Sequence, residues 1–228
     1  MTVAERPRRA PRGTAPNVVE EIAARRRADL EDELAAFDPE AALADAPTPR
    51  SFTAPFLRPG LHVIAELKRS SPSAGRIAAP RLDLIAQARA YVDGGAAAIS
   101  VLCEPHWFGG SLDDLRRVRG AVAAPILAKE FIVDARQLAQ VRAAGADAVL
   151  LLAVLHPGRR LADLVRQALE LGLEPLVEAH DRRELELAVA SDARVIGINN
   201  RDLRTLEVDT ERADALRAIV PDDRIVIA

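Results

Sequence analysis

The chain has 228 residues, a formal net charge of −3, a pI near 5.9, 49% hydrophobic residues and only 3% aromatic residues. This length and composition suit one α/β domain with a large aliphatic core, and the absence of a basic, aromatic-rich face argues against a nucleic-acid partner. No apolar stretch approaches the roughly 20 residues that cross a membrane. The single cysteine, Cys103, excludes an internal disulfide and fits a reducing compartment, so we expect a cytoplasmic protein.

The chain begins with an Arg/Pro-rich segment, residues 1–17, which has almost no large apolar side chains and is predicted to be a disordered tail. Residues 18–228 are predicted to form one domain that opens with an amphipathic helix and a proline-rich connection. A unit of apolar strand, polar turn and amphipathic helix then repeats. The predicted strands are 62–68, 97–102, 125–129, 148–155, 174–179, 195–199 and 224–228, and the predicted helices between them are 81–93, 111–122, 135–144, 159–171, 182–190 and 210–219.

Nearly continuous apolar strands that alternate with helices indicate a parallel sheet covered by those helices. Two architectures compete: a doubly wound open sheet, with its reactive residues at one switch point, and a (β/α)8 TIM barrel, with reactive residues after most strands. Polar residues follow nearly every predicted strand, which favours the barrel with an extra N-terminal helix. Seven strands are counted, so the sequence predicts a barrel that stops after strand 7 and lacks the last helix, strand and helix.

The use of lysine is the most informative feature of the composition. Of 31 Lys and Arg residues only two are lysines, Lys68 and Lys129, and both lie at the ends of predicted strands. Unlike arginine, lysine can lose its proton when its surroundings change its pKa, so it suits acid–base chemistry. Glu66 lies two residues before Lys68, and alternation along a strand places both side chains on one face. We expect this pair to point into the mouth of the barrel rather than to form a structural ion pair.

Further candidates follow the later strands. Glu178 ends an apolar strand, so partial desolvation predicts a raised pKa and a role as acid or base. Asn199 can both donate and accept hydrogen bonds, and the Arg201 guanidinium suits a carboxylate or phosphate. The segment 71–75 is predicted to be a mobile loop that could bind an anion. The four histidines lack metal-ligand spacing, and His180 is expected to be structural.

Five segments in this order and spacing resemble indole-3-glycerol phosphate synthase, the barrel enzyme of tryptophan biosynthesis. They are IAELKRSSPS (64–73), FGGS (108–111), KEF (129–131), LVE (176–178) and GINNRDL (197–203). The resemblance implies closure of the indole ring of 1-(2-carboxyphenylamino)-1-deoxyribulose 5-phosphate, with loss of CO₂ and water, on a lyase that needs no cofactor or metal. It also implies a monomer when the chain is complete.

The resemblance also implies roles for individual residues. Lys129 would be the general acid, Glu178 and Lys68 would handle later proton transfers, Glu66 would orient the lysines, and Asn199 would hold a substrate hydroxyl. The binding residues would be Ser71, Phe108, Phe131, Leu150, Arg201 and Leu203. From the residues alone, Phe131 fits ordinary core packing as well as it fits a pocket wall.

The chain departs from the family pattern in small ways, with Ala128 and Glu130 flanking Lys129 where the family usually has Arg and Asp. A larger departure is expected beyond residue 228, where the family carries a catalytic serine and most of its phosphate site. Two alternatives therefore stand beside the synthase. One is an inactive or trans-complemented barrel fragment, and the other is a related phosphate-binding barrel such as phosphoribosylanthranilate isomerase.

Overall fold

The computed structural model describes residues 18–71, 75–76, 83–200 and 216–228. The strands in these ranges are β1 Ile64–Leu67, β2 Ser70–Ser71, β3 Gly75–Arg76, β4 Ala98–Leu102, β5 Ile126–Lys129, β6 Ala148–Leu152, β7 Glu174–Ala179, β8 Val195–Ile198 and β9 Ile225–Ile227. The α-helices are α1 Val18–Glu33, α2 Pro39–Ala44, α3 Leu84–Asp93, α4 Leu112–Ala121, α5 Arg136–Ala143, α6 Arg159–Glu170 and α7 Arg182–Ala190. The seven strands predicted from sequence are all present.

The seven long strands form one parallel sheet in the order β1-β4-β5-β6-β7-β8-β9. A helix connects each neighbouring pair from β1 to β8, and all six pairings are parallel, so every carboxyl end lies at the same edge of the sheet. Residues from the first strand, Ile64 and Glu66, and from the last, Ile227, line one cavity. The sheet is therefore curled as in a (β/α) barrel, which confirms the fold class expected from the alternation of strands and helices.

Two apolar cores lie on the two faces of this sheet, which explains why its strands are apolar at almost every position. The inner core lies on the concave face and contains Ala98, Leu127, Leu150, Leu176 and Val195. The outer core lies between the sheet and the helices. It contains the alternate strand positions Ile99, Val101, Ala128, Val149, Leu151, Val177 and Ile196 together with buried residues of α3 to α7.

The amino ends of the strands are closed by the connection that follows α2. Pro47 and Pro49 of this connection lie where a side chain at Gly145 or Gly172 would come within 3.2 Å and 3.1 Å of the proline rings. Both glycines have positive φ, at +98° and +74°, which favours glycine in these tight turns. The connection is thereby seated against the turns that precede β6 and β7.

Arginine side chains hold this connection by its carbonyl groups. Arg142 donates to Pro47 O at 2.6 Å and Arg119 donates to Thr48 O at 2.6 Å. Arg50 reaches in the opposite direction and donates to the carbonyls of Val122, Ala124 and Arg119 at the end of α4. Hydrogen bonds between guanidinium groups and backbone carbonyls therefore fix the connection at 47–50 to the amino ends of the strands.

One strand prediction was too long, and one helix was missed. Residues 153–155 form a short 3-10 helix instead of continuing strand β6, and helix α2 was not predicted. Residues 72–74 of the expected mobile loop lie outside the described residues, and its end residues Ser71 and Gly75 pair antiparallel. Most of the predicted helix 210–219 lies outside the described residues.

Candidate active site

Two lysines share one glutamate at the carboxyl ends of β1 and β5. Lys68 Nζ lies 2.6 Å from Glu66 Oε1, and Lys129 Nζ lies 2.8 Å from Glu66 Oε2. All three side chains are between about one quarter and one third exposed, so they remain open to a ligand. Alternation along β1 was therefore a sufficient guide to the direction of Glu66 and Lys68.

The charge state of this cluster is set by mutual attraction. Burial alone would lower the pKa of Lys129, but the charges of Glu66 and Glu178 outweigh burial and raise it. Burial would raise the pKa of Glu66, and the two lysines lower it instead. The resting site thus holds a protonated Lys129. The composition suggested a lysine that loses its proton readily, but in the resting site the pKa of Lys129 is raised instead.

Glu178 lies at the end of β7, where Asn199 Nδ2 donates to its Oε1 at 2.9 Å. The Asn199 backbone N–H donates to Ala179 O, which fixes the end of β8 beside the glutamate. Burial would raise the pKa of Glu178, but His180, Lys129 and Asn199 together lower it. The expected raised pKa is therefore wrong, because desolvation was predicted without the three partners that stabilise the carboxylate.

A cavity of about 390 Å³ opens between these groups, within the range of small-molecule sites. Its polar lining is Glu66, Ser100, Lys129, Glu178, Asn199 and Asn200, and its apolar lining includes Ile64, Leu127, Leu150, Leu176 and Ile227. The charged groups come from β1, β5 and β7. The cavity can therefore hold an apolar ring and present proton donors and acceptors to it.

An aromatic pair lies beside this cavity. The rings of Phe108 and Phe131 have centroids 6.2 Å apart and planes inclined by 30°. Phe131 packs against the inner core that contains Leu150, as the core-packing interpretation expects. Phe108 is held by Glu104, which is fully buried and accepts backbone N–H groups of His106, Trp107 and Phe108. Neither ring is among the residues that line the cavity.

The structure brings together most of the residues singled out in the sequence. Glu66, Lys129, Glu178, Asn199 and Leu150 line one cavity, and Lys68 contacts Glu66. Ser71 lies in the short strand β2, outside the cavity lining. Arg201 and Leu203 fall outside the described residues.

Other cavity residues were missed by the sequence analysis. Ser100 is 3% exposed, and its Oγ has no hydrogen-bond partner among the described residues. It is the one hydroxyl in the apolar strand AISVL, and alternation with Ala98 and Leu102 would have placed it on the inner face. Asn200 also lines the cavity, next to the predicted Asn199.

The described ranges contain no group of three or more His, Cys, Asp or Glu side chains placed to hold a metal ion. Within the same ranges, no helix combines the length and apolarity needed to span a bilayer. Cys103 is buried, and burial raises the pKa of its thiol, which makes it a poor nucleophile.

Residues 19–228 match the family model described as "Indole-3-glycerol phosphate synthase". A protein of that name from Nocardioides sp. (strain ATCC BAA-499 / JS614) is 47% identical over 215 residues, which are 93% of this chain and 82% of that protein. Two others are from Rhodopirellula baltica, with 50% identity over 73% of this chain and 64% of that protein, and Mycobacterium ulcerans, with 46% identity over 83% and 69%.

Among solved structures, one titled "Native KDPGal structure" superposes with a TM-score of 0.51 at 19% identity. The superposition covers 74% of this chain and 72% of that one. At this identity the likeness concerns the fold alone, and it agrees with the curled parallel sheet described above.

Proposed function

Because the chain belongs to the indole-3-glycerol phosphate synthase family, we propose that it closes the indole ring of 1-(2-carboxyphenylamino)-1-deoxyribulose 5-phosphate, releasing CO₂ and water, as a step of tryptophan biosynthesis. The observation that carries the proposal is the Glu66 carboxylate shared by Lys68 and Lys129 at a cavity that Glu178 and Asn199 also line. The family match favours this synthase over the isomerase alternative.

In the proposed first step, the ring carbon that bears the carboxylate attacks the ketose carbonyl. The carbonyl oxygen gains negative charge and needs a proton, which Lys129 supplies as general acid. The raised pKa of Lys129 supports this role because it keeps the side chain protonated at neutral pH, and the ion pair with Glu66 orients it. Departure of CO₂ then returns an electron pair to the ring and restores its aromaticity.

The later step removes the new hydroxyl as water and takes a proton from the ring system. One group must donate and another must accept, and the two must be held apart in opposite charge states. We assign these transfers to Lys68 and Glu178. The lowered pKa of Glu178 supports its assignment as the acceptor, and Asn199 is assigned to a substrate hydroxyl.

Substrate binding divides along the same lines. We assign the anthranilate ring to Leu150, Phe108 and Phe131. The assignment is supported by Leu150 in the cavity lining, by Phe131 packed against the core that contains Leu150, and by the contact between the two phenylalanine rings. Ser71, Arg201 and Leu203 remain predicted binding residues, with Ser71 and Arg201 assigned to anionic groups. The reaction is redox-neutral and its steps are proton transfers and bond rearrangements, so we propose that it uses no cofactor. We further propose a cytoplasmic enzyme that acts on this small phosphorylated substrate without a nucleic-acid partner.

The test is to supply the purified chain with the proposed substrate and to follow both indole absorbance and CO₂ release. We expect stoichiometric formation of the two products in the unmodified chain and their loss in Glu178→Gln. Glu186→Gln, an exposed change on α7, is the matched control and should keep full activity. Binding of the substrate without release of CO₂ would refute the assignment of activity to this chain.

A further inference from the structure

His180 lies between two carboxylates at the junction of β7 and α7. Its Nε2 is 3.3 Å from Glu178 Oε1, and its Nδ1 is 3.0 Å from Glu184 Oε2. The imidazole is only 11% exposed and both glutamates are 15% exposed, so water screens these charges little. The contact with Glu178 is an ion pair without aligned hydrogen-bond geometry.

The local chain fold fixes this arrangement. Asp181 caps helix α7 by accepting the N–H of Glu184, which turns Glu184 back toward the end of the strand. Glu184 Oε2 then accepts the backbone N–H of His180 at 2.8 Å as well as facing the ring. Glu184, one helical turn away, therefore contacts both the backbone N–H and the ring of His180.

This geometry determines the charge of the ring. A neutral imidazole carries a proton on one nitrogen and a lone pair on the other, and the lone pair would face a carboxylate oxygen on either side. Only the doubly protonated ring is attracted to both neighbours. The two glutamates accordingly raise the pKa of His180 to about 9, although burial opposes them.

We propose that His180 is a positioning residue that, held as an imidazolium by Glu184, keeps Glu178 ionised and fixes the direction of its carboxylate. Asn199 holds the same oxygen of Glu178 from β8, and Lys129 adds a further positive charge from β5. The inference rests on the proposed function only in calling Glu178 an acid–base group. The charged contacts themselves are independent of any substrate.

The role differs from plain structural support in one measurable way. A buried glutamate without its imidazolium neighbour takes up a proton more readily and ceases to be a base. His180 therefore sets the lower pH limit of activity, and Glu184 acts on that limit through His180. A purely structural histidine would leave this limit unchanged.

The first experiment needs no turnover and uses the full chain. The ring nitrogens of His180 and the side-chain carboxyl carbon of Glu178 are titrated by NMR in the unmodified chain, in Glu184→Gln and in His180→Gln. We expect His180 to stay protonated well above neutral pH, its pKa to fall in Glu184→Gln, and the pKa of Glu178 to rise in both variants. A His180 that titrates near pH 6.5, or a Glu178 titration that ignores both changes, would overturn the proposal.

The second experiment compares pH–rate profiles. His180→Gln and Glu184→Gln should move the acid limb of kcat/KM upward and lower kcat more than they raise KM. Because Glu178 itself remains, the loss at pH 7 should stay below the roughly 10²–10⁴-fold that a complete acid–base group is worth. Glu186→Gln removes a glutamate from the same helix that does not contact His180, and it should leave the profile in place.

The two experiments separate two kinds of failure. Suppose that the chain shows no turnover but the titrations of His180 and Glu178 still depend on each other. The proposed activity is then refuted, and the positioning role of His180 is supported. An active chain in which neither variant moves the acid limb refutes the positioning role. The double variant His180→Gln/Glu184→Gln should match His180→Gln alone, because Glu184 acts through the histidine.

Discussion

Two clusters of opposite charges lie at the two ends of the same sheet, and they are built differently. At the carboxyl ends, Glu66 pairs with Lys68 and Lys129, and each of the three side chains is 26–35% exposed. At the amino ends, Asp147 pairs with Arg119, and their side chains are 0% and 10% exposed. One cluster uses both lysines of the chain, and the other uses arginine.

The two clusters differ in whether their carboxylate still faces space that a ligand can occupy. Asp147 accepts the backbone N–H groups of Arg50 and Ile126 and both of its oxygens contact Arg119, so protein groups satisfy it on every side. Glu66 faces a cavity together with its lysine partners. In barrels the carboxyl face carries chemistry and the amino face carries stability. The comparison predicts that changes at one end alter turnover and changes at the other alter unfolding.

The largest expected effect is on turnover in Lys129→Arg. Arginine keeps the positive charge beside Glu66 but does not readily donate its proton, so kcat should fall by about 10²–10⁴-fold. The urea unfolding midpoint should stay within experimental error, which separates catalysis from folding. Arg166→Lys, an exposed exchange on α6, is the control. Retention of more than about a tenth of the rate would break the comparison at this end.

Asp147→Asn should have its main effect on stability. Removing one member of a buried ion pair leaves Arg119 without its counter-charge and costs about 3–5 kcal/mol of unfolding free energy. Turnover per folded molecule should not change, measured at a temperature where the variant is folded. Asp163→Asn, in an exposed pair 3.8 Å from Arg166, should cost less than about 1 kcal/mol. Equal costs for the two changes would remove the distinction between buried and exposed pairs.

Glu130 allows the comparison to be sharpened with pH. It is 3% exposed, and burial raises its pKa to about 7 although Arg26 and the Phe131 N–H oppose burial. A raised pKa in the folded state gives stability that is present below the unfolded value near 4.5 and is lost as pH rises through 7.

Glu130→Gln mimics the protonated acid and should escape this loss. Relative to the unmodified chain, it should gain on the order of 3 kcal/mol of unfolding free energy between pH 4.5 and pH 8. Urea titrations at several pH values measure the difference, with Glu170→Gln on the surface as control. A constant difference between the two chains at all pH values would show that Glu130 does not titrate in this window.

The smallest expected effect comes from Ser100→Ala. The buried Oγ has no hydrogen-bond partner among the described residues, so its removal should stabilise the chain by about 1 kcal/mol. If this hydroxyl serves the substrate, KM should rise in the same variant. Thermal unfolding and steady-state kinetics on one preparation give both values. A destabilised variant would mean that Ser100 belongs with the structural cluster.

The sequence predicted the framework better than the electrostatics. Strand positions follow from local apolar runs, and the common direction of Glu66 in β1 and Lys68 directly after it follows from local alternation. The pKa of Glu178 depends on Lys129 and Asn199, which are distant in sequence and meet only in the folded barrel. The pairing of Asp147 with Arg50 spans 97 positions. His180 was expected to be structural, although both carboxylates that flank its ring, Glu178 and Glu184, lie within four positions of it in the sequence.

The hydrogen bonds that hold the connection at 47–50 go to its backbone carbonyls, which determines which substitutions it should tolerate. Arg119 and Arg142 bind the carbonyl oxygens of Thr48 and Pro47, which every amino acid possesses. A library randomised at Thr48 should therefore yield many folded chains, whereas one randomised at Arg119 or Arg142 should yield few. What matters in this segment is the course of its backbone, which a comparison of side chains alone would not reveal.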